Sequence, residues 1–564
     1  MKGSQVKRLI AGVAVTATLL TACGANDTPS GGTANGGGTV KAGGTLYILT
    51  DSPSQQFDPA KSSNLVITAL SLVHRRLTSW SVAPGKDTEI VPDLATDTGK
   101  ASDGGKTWTF TLKDGLKFGD GTPIKSADVK WGLERSFAPA FSGGLTYHKD
   151  LLSPGLAYKG PFDGGKELDT IETPDDKTII FHLARPYGDF NWVASTPAFA
   201  PVPKGKGAEA DYGNHPVTSG PYNVQSYERG KGATLVRNPN WSATEDTTRK
   251  GYPDKIEFQL GQQTAVIAKR LIDDSGNDQT AFGAPFVAPA QLVQITGNPS
   301  AKSRLVTSES GALAYLSLNV TRGKLADPNV RKAFQYAVDK AAYQVASAGS
   351  PDLAGEVATT LITPGIKGRE KFDLYPAPPA GDPEKAKQLL AQAGLPNGLD
   401  GLVLVTRNEN SYPEKAAAIQ AGLARAGIKV TIKTLDTDAY TQEVDTKENP
   451  DYDLALSSWQ PDIPSANANI QPLFQSTEIG GGGVNESRLN DPDIDKGIID
   501  AQSSVDPADA AKKWVELDKK LMEKSVVVPL IYTRNSFLHG SKLGNFVIGK
   551  FPAYVDYRQW GVIQ

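Results

Sequence analysis

Residues 402–433 constrain the fold more than any other stretch of this chain. Leu402 to Thr406 is a strand, a helix opens at Pro413 and ends near Gly427, and Ile428 to Lys433 is a second strand. Strand, helix and strand within about 30 residues make a βαβ unit, whose crossover obliges its two strands to run parallel. Asp453 to Ser457 extends that sheet.

The rest of the chain is organised around further elements of both kinds. Thr45 to Thr50 is a strand, followed by the loop DSPSQQFDPA and a helical stretch around Leu65 to Leu77. WTFTLK, Trp108 to Lys113, alternates apolar and polar residues between the turn signals Asp103-Gly104-Gly105 and Asp114-Gly115, the pattern of a half-buried strand. Thr178 to Leu183 and Ile256 to Leu260 are further strands. Asp327-Pro328 starts a helix that places Val330, Phe334, Val338 and Ala341 on one face. Asp382 caps another, with Pro383 at its first position and Gly394 just past its end. Val526 to Tyr532 is the last strongly apolar strand. A chain of 564 residues exceeds what one hydrophobic core supports, so the expected architecture is mixed α/β in at least two lobes.

Charge and cysteine content remove several classes of function. A formal charge of −3, without a Lys/Arg-rich run, gives no footprint for nucleic acid. A single cysteine excludes an internal disulfide and a thiolate zinc site. That cysteine lies behind a positive start (Lys2, Lys7, Arg8) and an apolar stretch from Leu9 to Leu20. The stretch is too short to span ~30 Å of hydrocarbon, which needs about 20 residues, but it suits a secretory signal. Leu20-Thr21-Ala22-Cys23 resembles a bacterial lipobox, in which the cysteine is lipidated after cleavage before it; an ordinary signal peptide with an incidental thiol is the alternative. On the first reading residues 1–22 are a lipoprotein signal peptide. Residues 23–44 are then the lipidated Cys23 and a flexible Gly-rich tether to the outer face of the cell membrane.

Signals for an enzyme or a metal site are weak. No Gly-x-Ser-x-Gly elbow occurs, and Gly105-Lys106-Thr107 leads into a strand where a phosphate loop would lead into a helix. His74, His148, His182, His215 and His539 are scattered without metal-ligand spacing. DPDIDKG at Asp491 to Gly497 mimics a calcium loop, but its glycine is late and no terminal Glu follows; it is a helix start capped by Asn490 or Asp491. No catalytic residue, metal ligand or cofactor is expected.

Five segments in order resemble the bacterial extracellular solute-binding proteins of family 5, the oligopeptide/dipeptide-binding type that serves ABC importers. They are PDLATDTGKASDGGKTWTFTLKDGLKFGDGTPIKSADVKWGLERS (Pro92 to Ser136), TSGPYNVQSYERGKGATLVRNPNW (Thr218 to Trp241), AYLSLNVTRGKLADPNVRKAFQYAVDK (Ala314 to Lys340), AGIKVTIKTLD and LALSSWQPD. The likeness runs from about residue 43 to the end and departs at LIDDSGNDQTAFG. It implies a two-lobed periplasmic-binding-protein-like clamp of type II (cluster C). Lobe I would be 43–310 plus 530–564, with a subdomain at about 80–200, and lobe II 318–525. Ala312 to Asn319 and Val526 to Tyr532 would form the hinge.

The resemblance also implies a site. In peptide-binding members a Trp-x-x-Asp motif after a strand of the second lobe lines the cleft, which here is Trp459-Gln460-Pro461-Asp462. Asp462 would pair with a peptide α-ammonium, and backbone beside Trp459 and Gln460 would bond to peptide main chain. By residue chemistry alone, Asp462 before Ile463-Pro464-Ser465 is as well a turn former, and Trp459 a core residue. The implied partners are a peptide or other small solute, ABC permease subunits, and the membrane through the lipid anchor, with the protein a monomer. An oligosaccharide, a nickel chelate, or a surface receptor role without transport are the alternatives.

Overall fold

The computed structural model describes residues 39–409 and 411–563. Cys23, the signal peptide and most of the tether lie outside them. Three sheets carry the architecture. The first, from the N-terminal half, has the order Ala281–Gly283, Thr45–Leu49, Lys255–Gln259, Gly232–Arg237, Tyr222–Glu228. Thr45–Leu49 is parallel to both neighbours, and the remaining pairs are antiparallel. Leu46, Ile48, Leu235, Ile256 and Phe258 face one buried cluster, as alternation requires. The second sheet is antiparallel: Lys100–Ser102, Thr107–Thr111, Thr178–His182, Ile171–Glu172. Trp108, Phe110, Ile179 and Phe181 make its separate core.

The third sheet has six strands in the order Gly355–Val357, Val527–Thr533, Ala312–Leu318, Leu454–Trp459, Leu399–Arg407, Ile428–Leu435. The expected βαβ unit is here: Leu399–Arg407 and Ile428–Leu435 are parallel, joined by the helix Tyr412–Arg425. Leu454–Trp459 lies parallel on the other side of Leu399–Arg407. Leu316, Leu402, Leu404, Leu454 and Leu456 pack against Phe334, Ile419 and Leu423 on one face. The opposite face presents Leu313, Tyr315, Trp459, Val405 and Ala455.

The two strands expected as hinge crossings are adjacent and antiparallel within this sheet. The chain passes between the sheets at Ser308–Gly311 and Arg534–Asn535. These connections run side by side: Ser308 N donates to Asn535 O at 2.9 Å and Asn535 N to Ser308 Oγ at 2.9 Å. Just before and after them, Leu305–Thr307 pairs antiparallel with Ser536–Leu538.

Two expectations from the sequence are corrected. The stretch Leu65 to Leu77 is not a helix; only Ala69–Leu72 makes a single 3₁₀ turn. Its apolar side chains serve three cores, Val66 and Ile67 one, Leu70, Leu72 and Val73 a second, Leu77 a third. A helix has one apolar stripe and cannot supply three separate partners, so the chain threads between them. The helix starting at Asp327-Pro328 is also two helices. Pro328–Ala337 stops at Val338, which is extended, and Asp339 caps Lys340–Ala348 by accepting from Ala342 N at 2.8 Å. Asp382 and Asp491 cap their helices as expected, and Gly394 takes the left-handed conformation at φ +80°.

Candidate functional site

In open α/β sheets ligands gather at the carboxyl ends of parallel strands, where chain reversals leave polar groups free. Two such ends lie side by side in the six-stranded sheet. One carries Arg407, the other Trp459. After Trp459 the chain turns through Gln460, Pro461 and Asp462 into the helix Ala466–Phe474, capped by Ser465, whose Oγ accepts from Asn467 N at 3.1 Å.

Across from this turn lie segments that pack with the four-stranded sheet. Tyr147 OH donates to Asp462 Oδ2 at 3.0 Å, joining residues 315 positions apart. Ser465 Oγ donates to the Asp189 carboxylate, Asn467 Nδ2 to Tyr187 OH at 2.8 Å, and Gly188 N to Gln502 O at 2.7 Å. The structure is therefore shut over the end of the Leu454–Trp459 strand. Burial pushes the Asp462 carboxyl up to about 6, and the Tyr147 hydrogen bond offsets this only in part; no cation figures among the influences on it. An ionised carboxylate in such a place gains most from an incoming positive charge.

The other predicted residues have distinct positions. Trp459 is half-buried, packs against the apolar cluster containing Tyr315 and Ile463, and donates from Nε1 to Ala468 O at 2.7 Å. The indole thus braces the turn that presents Asp462. Gln460 has neither end of its side-chain amide hydrogen-bonded among the described residues, although both atoms are buried. Trp459, Gln460 and Asp462 lie together by chain adjacency.

Sequence reasoning missed Tyr147, Arg407 and the groups around Arg407. Tyr147 had no local signal, because its partner is remote in sequence. Arg407 ends the apolar strand Leu399–Arg407, and a lone cation there was legible. Its guanidinium lies 3.9 Å from the Tyr440 ring centre and 5.6 Å from that of Tyr412, in the range of cation–π attraction. Tyr412 in turn reaches the end of the other strand, with its hydroxyl 3.1 Å from Ser458 Oγ. Behind Arg407, Glu486 and Asp445 are buried; burial, reinforced for Glu486 by Asp445, pushes their carboxyls up to about 8 and about 6.

Two jaws closed over the carboxyl ends of a sheet, with a buried carboxylate at the seam, match a two-lobed solute-binding protein. The chain belongs to the bacterial extracellular solute-binding proteins, family 5, whose model (described as "family 5 Middle") matches residues 89–481. It is similar to the glutathione-binding protein GsiB of Salmonella paratyphi A, 26% identical over 456 residues, 79% of this chain and 81% of the relative. Among solved structures it resembles the clavulanic acid biosynthesis oligopeptide binding protein 2. Identity is 31% and the TM-score 0.86, over 95% of this chain and 98% of that one. It shares its fold with the periplasmic binding protein DppA from Helicobacter pylori, solved in complex with the peptide STSA. There the TM-score is 0.70 at 22% identity, covering 93% of this chain and 99% of that one.

Proposed function

We propose that the protein is the extracytoplasmic substrate-binding component of an ABC importer, and that it closes on a peptide. The observation that carries this reading is Asp462: a half-buried carboxylate at the closing seam with no cation paired to it among the described residues. The α-ammonium of a peptide completes it, with Tyr147 moving aside or sharing the carboxylate. Arg407, held over the Tyr440 ring, is suited to the anionic end or an acidic side chain of the same ligand, since its planar fork matches a carboxylate. Main-chain groups of the turn after Trp459 would pair with extended backbone without reading side chains. Relatives that bind glutathione and oligopeptides by name support the peptide class.

Closure follows from bridging. Only the closed form lets one ligand touch both jaws, so binding biases the open–closed equilibrium toward it. Lobe I is taken as 43–310 with 530–564 and lobe II as 318–525, moving about the paired connections near Ser308 and Asn535. The closed monomer then docks on permease subunits, and the energy for transport comes from an ATPase elsewhere; the binding protein itself performs no chemistry. Mass spectrometry of what co-purifies with the protein is expected to show a ladder of short peptides. A sugar or a metal chelate in their place overturns the peptide assignment.

Cys23 is the proposed anchor. Two or more acyl chains hold a protein stably at a membrane where one does not. Cys23→Ala is expected to move the protein from the membrane fraction to the medium or periplasm, and to abolish labelling with a fatty-acid probe. Equal membrane retention of the variant rejects the anchor.

A further inference from the structure

Arg76 is a buried charge that the site above leaves unused. It lies just ahead of the Thr78–Ser81 strand, is 0% exposed, and none of its three guanidinium nitrogens has a hydrogen-bond partner among the described residues. Its backbone is satisfied: the amide donates to Asp93 Oδ2 at 3.1 Å and the carbonyl accepts from Leu94 N at 2.9 Å.

Every other arginine around it has an acid. Arg75 Nε donates to Asp93 Oδ1 at 2.8 Å. Arg249 takes Asp93 Oδ2 at 2.8 Å and Asp246 Oδ2 at 3.1 Å. Arg558 holds Asp556 at 2.7 Å and gives its remaining donors to Ser79 Oγ and Trp80 O. Four guanidiniums share three carboxylates, and the one left over is Arg76. Lys113, half-buried beside the same Arg75–Asp93–Asp246–Arg249 group, adds positive charge rather than relieving it. Burial and the facing Arg249 and Arg558 guanidiniums, offset in part by Asp93, hold Arg76 down at about 9.

A guanidinium does not escape such a position by losing its proton at neutral pH. What relieves it is an anion with two coplanar oxygens, which its fork of donors grips bidentately. We propose that Arg76 is a buried anion site that takes one carboxylate group, either a free monocarboxylate or one carried by the bound solute. Because the guanidinium is sealed from solvent here, the anion enters only when the packing around Arg76 opens. This site shares no residue with the surroundings of Asp462 and stands whether or not the solute is a peptide.

The test uses the mature chain, refolded from denaturant to strip any carried anion, and sodium formate as the probe at constant ionic strength. The thermal midpoint of the wild-type protein is expected to climb with formate, while those of Arg76→Met and Arg76→Gln stay flat. Without formate, Arg76→Met is at least as stable as wild type, because it deletes an uncompensated buried charge. A formate response that is equal in the variants, or absent from wild type, overturns the site. With Arg76-dependent formate binding in hand, tri-alanine and its C-terminal amide separate the two sources. A preference for the acid that vanishes in Arg76→Met assigns the carboxylate to the solute; equal binding of acid and amide assigns it to a free anion.

Discussion

Asp462→Ala is expected to lower peptide affinity by about tenfold or more while leaving the fold intact. A hydrogen bond to a charged group is worth about 1.5–3 kcal/mol, and 1.4 kcal/mol is a factor of ten in binding. The fold survives because, among the described residues, the wild-type carboxylate holds one hydrogen bond, from Tyr147. Calorimetry on a peptide identified by co-purification is the measurement, and unchanged affinity removes the ammonium anchor. The pH dependence carries the same signature. In the closed structure burial holds Asp462 at about 6, so ammonium binding favours its ionised form and weakens as pH falls from 7 toward 5. Asp462→Ala flattens that slope, whereas a role confined to turn formation leaves it unchanged.

The largest loss of stability is expected from Asp93→Asn. Asp93 is 1% exposed and accepts from Arg75, Arg249 and the Arg76 amide. Removing one partner of a buried ion pair leaves uncompensated charge and costs about 3–5 kcal/mol, a large part of the 5–15 kcal/mol by which domains are stable. Asn keeps the size but not the charge, and Asp246 shares only part of the load, since it lies 3.6 Å from Arg75. Burial alone would raise the Asp93 carboxyl; Arg249 and Arg75 outweigh it and hold the group below its ordinary value. A lowered carboxylate contributes stability that is present above its unfolded pKa, near 4, and is lost as pH falls through the folded one. The gap between wild type and Asp93→Asn in denaturant midpoint should therefore shrink on acidification. A gap that is small at neutral pH contradicts the assignment of Asp93 as the hub of this network.

How far the sequence could be read depended on the range of the interaction behind each feature. The βαβ unit at 399–435 was legible because its strands, helix and caps are set by residues a few positions apart. The caps Asp382 and Asp491 were legible for the same reason: each carboxylate accepts from an amide two or three residues on. The stretch Leu65 to Leu77 misled because hydrophobicity says that a side chain is buried and not which core buries it. The break at Val338 was hidden by a periodicity that runs on across it. Asp462, Trp459 and Gln460 were singled out by resemblance alone, since their chemistry fits a turn and a core as well.

What the sequence determined by itself is the inventory: strands and helices of both kinds, too many residues for one core, a charged and apolar start ahead of a lone cysteine, and a family pattern spread over most of the chain. Only the tertiary structure decided which distant groups meet. It set Tyr147 on Asp462, Arg407 against Tyr440, and four arginines around three aspartates. Those encounters join segments up to several hundred residues apart, and no local propensity encodes them. They follow from how three sheets pack, which is a property of all the buried surfaces together.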